Sequence, residues 1–238
     1  MRRFVQAFAD GAFGSALPGA VAAALLAAPP RYNIAVRKPA AVILDHGAGL
    51  QVEDLAWGLV PHWSKLPETP YTTVTVRLAR AATSRIFRRP WETRRCVVPM
   101  SGYYKWDRSG ARPHPWFVQA RDGRALFAAG LWEQWEREAP ALLSFAVLTH
   151  PNPAVPAPLV ADGPVFLPEV QVAAWIQGPS APLRFLSRMP QPALEAYPVS
   201  KRIRSRDVDD YTLLEPLDPA DIDDGADPGP GPDDDEDD

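Results

Sequence analysis

Two amines and a crowd of arginines carry most of the chemistry legible in this chain. Lys105, in the segment Arg94 to Trp106 (RRCVVPMSGYYKW), and the α-amine of Met1 can each attack a carbonyl carbon and form an imine, provided the nitrogen is unprotonated. An α-amine reaches that state at about pH 8; a lysine has to be drawn down from about 10.4 by burial or by a neighbouring cation such as Arg2. The plainer role for a lysine in a groove is a phosphate contact. Arg77, Arg80, Arg85, Arg88, Arg89, Arg94 and Arg95 crowd one stretch, and Lys201, Arg202, Arg204 and Arg206 form another. Arginine holds phosphate through two donors at once, which a lysine point charge does not. Trp63, flanked by His62 and Ser64-Lys65, is a candidate stacking platform, whereas Trp57 sits in an apolar run and is expected in the core.

Other reactive types give less. The single cysteine, Cys96, lies in the apolar run Cys96-Val97-Val98-Pro99 and reads as a buried residue rather than a nucleophile. One cysteine also excludes an intramolecular disulfide and fits a reducing cytoplasm. His46, His62, His114 and His150 are far apart without HxxxH or HExxH spacing, so no metal and no cofactor is expected.

The net charge of -4 conceals an asymmetry. Eleven of the 29 acids fall in Asp218 to Asp238, a stretch without Lys or Arg, so the 25 bases face 18 acids elsewhere and the body is +7. A basic body is the footprint of a polyanion binder. The Asp, Gly and Pro composition beyond Leu217 lacks the apolar side chains that offset chain entropy, so residues 218–238 are expected as a disordered acidic tail on a domain of residues 1–217. That tail either solvates the chain or folds back on the basic body and competes with nucleic acid.

The elements that must position these groups read mainly as strands. Arg3 to Phe8 is a first strand, followed by Ala40 to Leu44, Leu55 to Val60, Thr72 to Val76, Arg95 to Val98, Trp116 to Gln119, Ala125 to Gly130 and Ser144 to Leu148. Helices are expected at Leu17 to Ala28, stopped by Pro29-Pro30, and at Ala79 to Phe87, Pro168 to Ile176 and Pro182 to Leu186. Arg2-Arg3 ahead of the apolar run Ala20 to Ala28 superficially mimics a signal peptide, but the run has only nine residues and reads as a short helix. No window approaches the ~20 apolar residues of a membrane span. The expectation is a cytoplasmic monomer with no membrane partner.

RRCVVPMSGYYKW resembles RRCLVPADGFYEW, a segment of the SOS-response-associated peptidase (SRAP) family of abasic-site processing proteins, at eight of thirteen positions. Further segments agree in the same order: Arg31 to Ala35 (RYNIA), Trp57 to Trp63 (WGLVPHW), Arg80 to Thr83 (RAAT), Ala129 to Glu133 (AGLWE) and Pro198 to Ser200 (PVS). The resemblance implies an α+β fold of antiparallel, partly barrel-like sheets with flanking helices. It also implies a basic groove for single-stranded DNA, onto which Arg3, Trp63 and Arg80 map, with Lys65, Arg77 and Arg85 extending the positive surface.

Family members join a cysteine thiol and its α-amine to the open aldehyde of an abasic sugar as a thiazolidine, with a carboxylate and an imidazole moving protons. Here the MCGRF start becomes Met1-Arg2-Arg3-Phe4, the NAR triplet Leu78-Ala79-Arg80, the glutamate of FYEW Lys105, and the histidine of IHDRMPVIL Val160. The resemblance therefore implies a DNA-binding member of the SOS and DNA-damage type without thiazolidine crosslinking or self-cleavage. Two alternatives stand beside it: an abasic-site lyase or crosslinking enzyme that uses the Met1 amine or Lys105, and a pseudoenzyme whose basic face binds a partner other than DNA.

Overall fold

The computed structural model describes residues 1–67, 73–110 and 113–218. Thr72 and the acidic segment beyond Asp218 lie outside them. Strands β1 (Arg3–Gln6), β2 (Arg31–Ala35), β3 (Pro39–Asp45), β4 (Leu50–Trp57) and β5 (Thr75–Arg77) come first, with helix α1 (Gly19–Ala27) after β1. Helices α2 (Leu78–Ala81) and α3 (Arg88–Thr93) lead to β6 (Arg95–Met100), β7 (Gly102–Asp107), β8 (His114–Ala120), β9 (Leu126–Trp135) and β10 (Leu142–Pro151). Short strands β11 (Asp162–Pro164) and β12 (Phe166–Leu167), helices α4 (Val172–Gln177) and α5 (Pro182–Ser187), and β13 (Leu194–Pro198) complete the order.

One sheet runs β13-β8-β7-β1-β2 and is antiparallel throughout. In the other, β10-β4-β3-β6-β9 closes on itself, because β10 pairs with both β4 and β9. A closed circuit of five strands cannot alternate in direction all the way round. One pair must be parallel, and it is β4 with β10. β5 lies parallel to β10 as well, so the expected antiparallel architecture is present with these two parallel contacts added.

Strand alternation sorts the core into layers. Ala40, Val42 and Leu44 of β3 and Cys96, Val98 and Met100 of β6 face one way and pack with Phe4, Ile34, Tyr103 and Val118 of the first sheet. Ala41, Ile43 and Val97 face the other way, under Val21 and Leu25 of α1, Trp91 of α3 and Trp175 of α4. Both faces being covered, these strands read as continuous apolar runs. Trp57 is fully buried, edge-on to Phe4, and its Nε1 donates to the Val74 carbonyl at 2.9 Å. Cys96 is buried with 0% exposure, and burial pushes its thiol well up. Both agree with the sequence expectation. Among the described residues no helix is long and apolar enough to cross a membrane.

The helix expected over Ala79 to Phe87 is instead broken. Thr83 and Ser84 both donate backbone N–H to the Arg80 carbonyl, and the Ser84 carbonyl then takes the N–H of Phe87 and of Arg88. Hydroxyl-bearing residues favour such local alternatives over helix interiors. The proline-initiated helix at 168 begins as a 3-10 turn (Glu169–Gln171) before α4, whereas α5 starts at Pro182 as expected.

Two buried polar side chains lock the layers together. Gln6 spans the sheets, its amide donating to the carbonyls of Ala41 and Pro99, both at 2.7 Å, and accepting from Ala41 N–H at 2.9 Å. Asn33 donates to the carbonyls of Ser205 and Val208 at 2.8 Å, holding the C-terminal basic segment against β2.

Gly102 has no room for a methyl: a Cβ there would lie 2.5 Å from the Val118 carbonyl oxygen and would collide with the Phe117 ring. Because one obstacle is backbone, no rotamer change relieves it. Gly102→Ala is expected to cost about 3 kcal/mol, the upper part of the overpacking range, in urea denaturation; a cost below about 0.5 kcal/mol would show that β7 and β8 separate freely.

His114, 5% exposed at the start of β8, supplies a pH test. Burial lowers its pKa most, Lys201 and Arg204 lower it further, and the Val199 backbone and Asp107 oppose them. The unfolded imidazole, near 6.5, therefore binds its proton first as pH falls. The contribution of His114 to stability is complete above about pH 6.5 and is lost as pH drops toward the folded-state value. Midpoints measured from pH 7.5 to 5 should fall for the native chain and fall less for His114→Gln.

Candidate functional site

Lys105 lies on β7, opposite Trp116 of β8. On β7 the two-residue period puts Tyr103 and Lys105 on one face and Tyr104 on the other. β1 runs antiparallel with Phe4 opposite Tyr103 and Val5 opposite Gly102. Met1 packs, half-buried, against the inner core.

The Lys105 side chain extends to β11, where Nζ donates to the Asp162 carbonyl at 2.6 Å. The Asp162 carboxylate is ion-paired with the Arg77 guanidinium. Strand pairing makes this meeting possible: along β10, Thr149 lies opposite Arg77 of β5, while His150 and Pro151 lie opposite Gly163 and Asp162 of β11. Burial lowers the Lys105 pKa most, Asp162 pulls it back up, and Arg77 lowers it again; the net position is below the ordinary lysine value. The buried Tyr103 hydroxyl is next to Gly163, whose Cβ, if present, would lie 3.1 Å away. Burial and the Asp162 charge push that phenol up, so it keeps its proton.

A second basic feature surrounds Trp63. His62, Trp63, Thr83, Arg85, Arg88, Arg89 and Glu92 line an open cavity of ≈ 580 Å³. The Arg85 guanidinium sits over the Trp63 ring, 4.8 Å from its centre. Trp135 Nε1 donates to the Ser64 carbonyl at 2.9 Å and pins the loop that carries Trp63. Beneath the loop, the fully buried Glu133 of β9 is ion-paired with Arg94 and meets His62 Nδ1 at 3.1 Å. A carboxylate only accepts, so Nδ1 carries the proton of the neutral imidazole. Burial, with the charges of Arg89 and Arg94, lowers the His62 pKa and favours that neutral form.

The residues singled out by sequence are thus divided. Trp63 and Arg85 meet at the groove, and Lys65 is exposed on the same loop. Arg77 and Lys105 meet at Asp162. Arg80 is exposed on α2, on the stretch that joins the two places. Arg3 is engaged elsewhere, donating to Asn33 Oδ1 and to the Arg204 carbonyl, each at 2.9 Å. Leu78 is buried in the helix-covered core, and Val160 is 70% exposed. Sequence reasoning did not single out Asp162 or Glu133. Each carried a signal: Asp162 is the one acid in LVADGPVFL, and Glu133 ends the apolar run of AGLWE.

The fold has close counterparts among crystal structures. A protein of Bacteroides thetaiotaomicron superposes with a TM-score of 0.68 at 19% identity, covering 78% of this chain and 85% of that one. A phage-related protein of Bordetella bronchiseptica gives 0.67 at 23% identity, with 84% and 95% covered. The family described as SOS response associated peptidase (SRAP) matches residues 3–206, and the chain belongs to it. Abasic site processing protein YoqW of Bacillus subtilis is 25% identical over 192 residues, 78% of this chain and 86% of that protein. An abasic site processing protein of Saccharomyces cerevisiae is 36% identical over 124 residues; the match spans 51% of this chain but only a third, 33%, of the yeast protein.

Proposed function

We propose that this chain binds single-stranded DNA, abasic DNA included, and does not form the thiazolidine crosslink. The observation that carries the binding is the groove lined by Trp63, Arg85, Arg88 and Arg89, in which the Arg85 guanidinium lies over the Trp63 ring. An aromatic face offers any base a stacking partner, and guanidinium groups neutralise the phosphates beside it. Lys65, Arg77 and Arg80 extend the positive surface. Arg3 lies outside this groove, where it holds β1 to Asn33 and to the C-terminal segment at the Arg204 carbonyl. Relatives named as abasic site processing proteins support the choice of ligand.

The loss of thiol chemistry rests on three positions. The only cysteine is buried and its thiol is pushed up, so a thiolate is not available to an aldehyde. The acid position of the family holds Lys105 and the imidazole position holds Val160, neither of which can act as the carboxylate or the proton shuttle.

Gel retardation with intact and abasic single-stranded oligonucleotides, at low and moderate salt, tests this reading. Both are expected to shift, with affinity falling steeply as salt rises. No denaturation-resistant adduct should form on abasic DNA in the absence of reductant. An unshifted oligonucleotide at low salt would remove the proposal, and a spontaneous, heat-stable adduct would remove its second half.

A further inference from the structure

We propose that Lys105 is an imine-forming nucleophile and Asp162 its base, so that the junction of β7 and β11 is a lyase site for the sugar aldehyde of abasic DNA. The inference rests on the proposed binding of abasic DNA and adds a reaction to it. Three groups converge there: an amine whose Nζ lies 2.6 Å from the Asp162 backbone oxygen, the carboxylate of that same residue, and the Arg77 guanidinium paired to it. Burial on this face disfavours the charged ammonium, which a nucleophilic amine requires. Arg77 is 55% exposed at its side chain and is positioned to meet a phosphate flanking the lesion.

The step balances without an oxidant or reductant. Neutral Nζ adds to the aldehyde carbon C1′, forming a C–N bond and a carbinolamine. The hydroxyl takes a proton from the medium and leaves as water, giving a protonated imine. Asp162 then removes a proton from C2′, and the electron pair forms the C2′–C3′ double bond as the C3′–O bond breaks. The 3′ phosphate departs with its bonding pair, leaving a 5′-phosphorylated strand. Water hydrolyses the imine and restores Lys105.

The test incubates the full chain with a single-stranded oligonucleotide carrying one abasic site, with and without borohydride, followed by peptide mapping. Borohydride reduces the imine to a stable secondary amine. The expected adduct maps to Lys105, and Lys105→Arg, which keeps the charge but cannot form an imine, lowers the trapped fraction at least tenfold. Asp162→Asn is expected to retain the adduct while cutting strand scission at least tenfold. A thermal melt on each variant separates loss of chemistry from loss of fold. Native retardation of the same samples without borohydride reads binding alone. A shifted oligonucleotide with no adduct, or with an adduct mapped to Met1, overturns the lyase site and leaves the binding proposal standing; an unshifted one overturns both.

Discussion

Replacing Arg85, Arg88 and Arg89 together by alanine is expected to flatten the salt dependence of single-stranded DNA binding and to weaken it most at low salt. Each phosphate contact on a single strand contributes about 0.7 to the slope of log affinity against log salt, so three lost contacts make the slope shallower by about 2. All three side chains line the ≈ 580 Å³ groove, whose acidic member is Glu92. Trp63→Ala acts on a different term: loss of a stacked base costs about 1–3 kcal/mol and leaves the slope nearly unchanged. Because Arg85 lies over the Trp63 ring, the two replacements share a contact and should not add. Fluorescence anisotropy titrations at several salt concentrations separate the terms. An unchanged slope in the triple variant would move the phosphate path away from this groove.

The largest effect on stability is expected at Glu133. Its side chain is fully buried, ion-paired with Arg94, close to His62 and accepting the Gln134 N–H at 3.0 Å. Glu133→Ala takes away the carboxylate paired with the mostly buried Arg94 guanidinium and leaves Glu136 as the acid still acting on it, at a cost of about 3–5 kcal/mol. The Arg94 side chain retains 20% exposure, which places the expected value at the lower end. Replacing both partners with apolar residues, Arg94→Met with Glu133→Leu, should recover most of the loss, since two desolvated charges are then removed together. Urea denaturation of the two singles and the double measures this cycle. A single-variant cost below about 1 kcal/mol would mean that the pair is solvated in solution. Glu133→Ala also releases His62 from the groove wall, so DNA affinity should fall along with stability.

Much of the scaffold was legible because its signals are local. The apolar run around Cys96 reads as a buried strand, and strand alternation in β3, β6 and β9 reproduces the division between the two core layers. Proline at the start of α5 marks that helix correctly. The helix expected at Ala79 to Phe87 stops after α2, where the Arg80 carbonyl takes the N–H of Thr83 and Ser84 together with the Thr83 hydroxyl, a local bond that competes with the helix ladder. β11 and β12 carry too few residues for a period to register, and β13 shows no alternation of buried and exposed positions; their existence depends on the partner strands β10, β9 and β8.

The site divides in the same way. Residue types alone determined the reactive inventory: an amine in place of a carboxylate at Lys105, a single cysteine in an apolar run, arginines crowded between Arg77 and Arg95, a tryptophan at Trp63 flanked by His62 and Lys65, and the segments that mark the family. Only the tertiary structure decided which of them meet. Lys105 and Asp162 are 57 residues apart, and Arg77 and Asp162 are 85 apart. No periodicity links such positions. They touch because β10 pairs with both β5 and β11, and because β7 carries Lys105 to the edge of β11. The pairing of β6 with β9, Arg95 opposite Leu131, sets Glu133 against Arg94, and it turns an acid that sequence could only place in an apolar run into the partner of Arg94 and His62 beneath the Trp63 loop.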